Sequence, residues 1–225
     1  MSSDKYQGSD SSPIFTPGNE PYLGLQEVHH FDLVLVEFIN HQREIAEWTH
    51  GNPHNAIQEA AGQLVPSASA IALSIRELVR QGYLLSAFVL VRPLWERVAT
   101  LSYLMTNPDT VSLWNAGWPH RTRPSLRARI DAMGVGDEWS SSGPLSESLK
   151  KMVDRTNSVV HGDPNGALEG AILLPDGSAG YAISKDLKSP ARAAEICLFA
   201  DALLVILTGR SAIFFPTVPF GGFPD

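Results

Sequence analysis

Two stretches, residues 84–105 and 196–215, limit what this chain can fold into. Both are apolar for longer than a typical strand, and both carry charges inside the run. Arg92, Glu96 and Arg97 interrupt the first; Asp201 and Arg210 interrupt the second. Charges at such depth are costly in lipid, so both runs read as buried helices of a soluble bundle and no membrane is expected. A helix apolar on nearly every side belongs at the centre of such a bundle.

Stop signals divide the rest of the chain. HisGlyAsnPro at 50–53 ends a first helix that begins near Gln26. A second helical region runs from about Asn55 to Arg80, where Pro66 is expected to kink or divide it. Gly82 turns into a third helix over roughly 83–106, and AsnProAsp at 107–109 ends it. Short helices are expected around Trp114 and after Pro124, and a longer one over Pro144–His161 closed by Gly162 and Pro164. ProAspGlySer between two short apolar runs predicts a small β-hairpin at 171–184. Ser189 and Pro190 open the last helix, which continues to about Phe214. The expected fold class is therefore all-α: a bundle of five or six helices over residues 25–216 with a small β-hairpin insertion. A flexible arm at 1–24 precedes it and an irregular tail at 217–225 follows.

Composition narrows the chemistry. The 225 residues carry a formal net charge of -7, so contact with nucleic acid needs a local basic patch. The segment 121–129 supplies one candidate, with Arg121, Arg123, Arg127 and Arg129 as RNA-backbone contacts or as a solvated face. The single cysteine, Cys197, lies in an apolar run and reads as a buried thiol. No P-loop, nucleophile elbow or metal-binding spacing of His and Cys is present, so no cofactor and no metal are expected. MetSerSerAspLysTyrGln at the start has no apolar leader character, and the expected location is the cytoplasm.

Two constellations remain. Arg92 and Glu96 stand at i, i+4 in the most apolar helix, where ions need partners. They are either a structural ion pair or two walls of a polar pocket. Further on, Arg155, Asn157 and His161 share one helix that ends at the histidine. The helix dipole favours a cation there, which suits His161 to acid/base work, while Arg155 suits a phosphate. Six residues turn a helix by about 600°, so Arg155 and His161 leave it roughly 120° apart. They converge only if the last turn unwinds or across a dimer interface.

The Arg155-to-His161 spacing resembles the hallmark of the HEPN superfamily, small helical bundles of toxin–antitoxin, abortive-infection and CRISPR-associated proteins. The ArgXaaXaaXaaGlu element at 92–96 within 78–105, followed by Asn157, His161 and Gly162, is also similar to a HEPN-like bacterial family. The resemblance implies a metal-independent endoribonuclease of phage defence or stress growth arrest, leaving a 2′,3′-cyclic phosphate. His161 would act as base or acid, Arg155 would hold the phosphate and Asn157 would orient one of them. It also implies a homodimer and an antitoxin or defence-system partner. Many active members carry Asn, Asp or His directly after the arginine; this chain has Thr156, with Asn157 one place later. A second expectation is a non-catalytic HEPN-like binding or scaffold module of a larger complex, with a pocket at Arg92 and Glu96.

Overall fold

The computed structural model describes residues 20–134, 144–164, 166, 171–173, 176, 178–181 and 189–218. It is mostly helical. The helices are α1 (Gln26–Gly51), α2 (Ala56–Gln81), α3 (Leu84–Thr106), α4 (Val111–Asn115), α5 (Leu126–Asp131), α6 (Pro144–His161) and α7 (Pro190–Phe214). Two three-residue strands, β1 (Ala171–Leu173) and β2 (Ala179–Tyr181), pair antiparallel with Ala171 opposite Tyr181.

The helix ends follow local chemistry. Asn55 and Gln58 form a reciprocal capping box at the start of α2, each side chain accepting from the other's backbone N–H. Gln58 also donates to the Phe214 carbonyl at 2.8 Å, tying the start of α2 to the end of α7. Gly82, with φ 79°, closes α2 in the left-handed conformation that favours glycine. Pro190 occupies the first turn of α7, while Ser189 makes no side-chain capping bond there. Pro66 does not divide α2, which runs through it as one helix. Ala61, Leu64, Val65, Ala68 and Ala72 are buried on that helix. Their packing against α3 and α1 holds the backbone across the proline.

The core forms where α1, α2 and α3 pack around α7. Phe31, Phe38, Ile75, Phe88, Leu94, Leu101 and Leu204 are fully enclosed. α7 is long and apolar enough to cross a bilayer by length and composition, and half of it is buried inside the fold.

Three ions sit in this core. Arg76 is 1% exposed and forks onto Asp32, with Nε 2.5 Å from Oδ1 and Nη2 3.0 Å from Oδ2. Its Nη1 donates to Glu20. Burial raises the carboxyl pKa values of Asp32 and Glu20, and Arg76 opposes that rise. Glu20 and Tyr22 are therefore part of the fold, which corrects the expected arm over 1–24 at its end: a buried guanidinium needs the second carboxylate. Residues 1–19 of that arm lie outside the described residues. In the expected tail, Val218 is buried, and 219–225 lie outside the described residues.

Candidate functional site

The two charged groups of the central sequence converge. Arg92 Nε lies 3.1 Å from Glu96 Oε1, one turn along α3. The other carboxylate oxygen of Glu96 accepts from Arg123 Nη2 at 3.2 Å, across from the loop before α5. The Arg92–Glu96 pair is one-fifth exposed on each side, less enclosed than its apolar helix suggested. Arg92 Nη1 is nonetheless buried without a hydrogen-bond partner among the described residues.

Beside this pair lies a cavity of about 320 Å³. Gln63 and Ser67 of α2 form one wall, Glu96, Arg97 and Thr100 of α3 the floor, and Trp114, Trp118, Arg123 and Arg129 the far side. Arg97 Nε donates to Ser67 Oγ at 2.9 Å, which aims its guanidinium across the α2–α3 groove. Arg129 is 4% exposed, and its Nη1 donates to Thr100 Oγ1 at 2.8 Å. Its Nε is buried with no partner among the described residues.

Burial lowers the Arg129 pKa, and repulsion from Arg123, Arg92 and Arg97 adds to it while Glu96 opposes. The cavity lining thus holds three guanidiniums and one carboxylate, Glu96, which Arg92 and Arg123 already engage. Such a surplus attracts an anion.

The loop that walls the cavity has unusual backbone. Trp118 at φ 53° and Arg121 at φ 67° are the non-glycine residues with left-handed backbone among the described residues. Each such residue costs on the order of 1–3 kcal/mol and persists only where its surroundings fix it. Trp118 N–H donates to the Leu113 carbonyl at 2.9 Å, and its ring meets Tyr103 edge-on at 6.5 Å. The indole is thereby held at the cavity rim.

The four arginines of 121–129 do not form one surface. Arg121 and Arg127 are exposed and lie away from the cavity, Arg123 bridges to Glu96, and Arg129 points inward. Arg129 is thereby corrected as a surface contact for RNA: α5 packs on α3, and this residue stands on the packed side.

The α6 constellation is separate. Arg155 Nη1 lies 2.5 Å from Glu195 Oε1 of α7, and its guanidinium stacks over the Phe88 ring at 5.1 Å. Arg192 approaches the same ring at 5.7 Å. α6 remains helical to His161, with Gly162 at φ 66° beyond it, so the last turn does not unwind to bring Arg155 and His161 together. His161 is exposed. Asn157 lies one turn before it, half-buried, with its Oδ1 buried and unpartnered among the described residues.

Sequence reasoning missed the Arg76–Asp32–Glu20 cluster and the Asp201–His30 contact of 2.9 Å. Asp32 and Asp201 interrupt apolar helical runs, and that was the available signal. A second hollow has His50, His54 and Glu59 in its lining, but among the described residues no three His, Cys, Asp or Glu side chains are placed to hold a metal ion together. Compared with protein-family models, curated proteins and solved structures, the chain gives no significant match.

Proposed function

We propose that this protein is a binding module whose cavity between α2, α3 and α5 takes an anionic ligand, a carboxylate or phosphate, on Arg97, Arg123 and Arg129. The observation that carries this reading is the charge imbalance of the lining: Arg97, Arg123 and Arg129 face one carboxylate, Glu96, which Arg92 and Arg123 already share. A planar guanidinium matches either oxyanion in a bidentate fork. Arg123 is more than half exposed and sits on a loop, so it can exchange Glu96 for a ligand oxygen without repacking the core. Trp114 and Trp118 supply apolar wall for the body of the ligand.

Titration with inorganic phosphate and with citrate, followed by tryptophan fluorescence, tests this. Saturable quenching by both anions, absent with the matched chloride salt, supports the reading. An unchanged spectrum at every concentration rules it out.

The HEPN-type endoribonuclease is the second reading. It is favoured by the exposed His161 with Asn157 on the same helical face and by the sequence resemblance. In that reading the substrate is RNA, the setting phage defence or growth arrest, and the active form a homodimer. Arg155 is the weak point, because Glu195 and Phe88 already engage its guanidinium. Cleavage of mixed RNA to cyclic-phosphate ends in the presence of chelator supports this reading, and an inert wild type removes it.

A further inference from the structure

We propose that the free face of α7 docks antiparallel against the same face of a second copy of this chain. Among the described residues α7 packs chiefly on α1, α2 and α3, and one stripe of it faces away from them. On that stripe Leu198 is 50% exposed, Val205 40% and Ile213 60%. Ala194, Ala202 and Gly209 alternate with them, so the order is small, large, small, large, small, large. The six positions fall within about 100° of helix circumference, and the stripe runs about 29 Å.

The spacing of these positions reads the same in both directions: four, four, three, four, four. A two-fold axis midway between Ala202 and Val205 therefore superposes the stripe on its own reverse. Leu198 then faces Gly209 of the other copy, Val205 faces Ala202, and Ile213 faces Ala194. Every large side chain meets a small one, which is the condition for close helix packing at an isologous interface.

Gly209 gives independent support. A β-carbon there would meet nothing within 4 Å outside its own stretch of helix among the described residues, so no contact seen inside the protomer requires glycine. Glycine within a helix is about 1 kcal/mol less favourable than alanine. The open space above Gly209 is the gap that Leu198 of a second copy fills. The charges beside the stripe are engaged inside the protomer: Glu195 by Arg155, and Arg210 through Nη2 by the Met133 carbonyl at 2.5 Å. Neither needs solvent on the docking side. The same geometry holds the two Arg155–Glu195 bridges roughly 25 Å apart along the helices, so it does not join the two α6 motifs.

Sedimentation of the full chain over a hundredfold concentration range tests this. The expected result is a monomer–dimer equilibrium. Gly209→Leu should weaken it by about tenfold or more, because the gap is filled from its own side. Leu198→Ala combined with Gly209→Leu should restore it, since a large residue again faces a small one. Val205→Glu, a change at an exposed position, should also dissociate the dimer, with no loss of melting temperature at a concentration where the wild type is monomeric. A monomer at every concentration overturns the proposal. So does a dimer indifferent to both Gly209→Leu and Val205→Glu. A monomer that floats with anionic phospholipid vesicles through this stripe also overturns it, because the occupant is then lipid.

Discussion

Arg129 on α5 donates from Nη1 to the hydroxyl of Thr100 on α3 at 2.8 Å, which fixes a buried guanidinium at the far side of the cavity while its Nε has no partner among the described residues. Such a group is costly to bury alone, and an anion placed beside it offsets that cost.

Removing the cavity's carboxylate should act in two opposite directions. Glu96→Gln takes away a charge that repels an anionic ligand, so phosphate should bind more tightly. It also leaves Arg92 and Arg123 without their anion and with one accepting oxygen between them, and the fold should lose about 1–3 kcal/mol. Denaturant melts and phosphate titrations on one preparation check both signs. A weaker phosphate affinity in this variant would contradict the electrostatic account.

The Arg76 cluster should behave as a buried ion network. Asp32→Asn removes one of two anions from an enclosed guanidinium and should destabilise the fold by about 3–5 kcal/mol. The triple change Asp32→Leu, Glu20→Leu and Arg76→Met should cost less than the single change, because it removes all three ions of the cluster and strands no charge. Chemical denaturation of the two variants decides the order.

The thiol of Cys197 is pushed up to about 12 by burial. A thiol raised in this way contributes stability that is complete below its unfolded pKa near 9 and is lost as pH rises through the folded value. The melting temperature should therefore fall over that alkaline window, and less so in Cys197→Ala. At pH 8 a thiol reagent should label the protein only after denaturant is added. Rapid labelling of the native chain would show that the site is open.

On α6, the two motif residues should separate in their effects. Arg155→Ala loses both the Glu195 bridge and the Phe88 contact and should lower stability by about 1 kcal/mol. His161→Ala, at an exposed helix end, should leave the melt unchanged. If the ribonuclease reading holds, His161→Ala also abolishes cleavage; a variant as active as wild type excludes it.

The legible parts of the fold were the local ones. α6 and α7 begin at Pro144 and Pro190, and both proline starts were visible in sequence, as was the end of α6 before Gly162. These boundaries rest on residues a few positions apart. The site was legible only in pieces, because its bonds join distant positions. Arg123 is 27 residues from Glu96, and Arg129 is 29 from Thr100. α5 is six residues long, too short for a hydrophobic period to reveal which arginine faces inward. Arg76 finds Asp32 across 44 residues, which no spacing rule can anticipate. Of the two outcomes expected at Pro66, division did not occur, because tertiary packing holds α2 as one helix across it.

The most direct test of the anion cavity is calorimetric titration of phosphate into wild type and into Arg97→Gln with Arg123→Gln. Both side chains lie at the accessible side of the site, so the fold should survive their loss. Wild type should bind one phosphate per chain, with affinity falling as salt rises. The double variant should bind at least about tenfold more weakly, one to two kcal/mol of charge-assisted hydrogen bonding. Equal binding by the two proteins, or none by wild type at low salt, would contradict the assignment of this cavity.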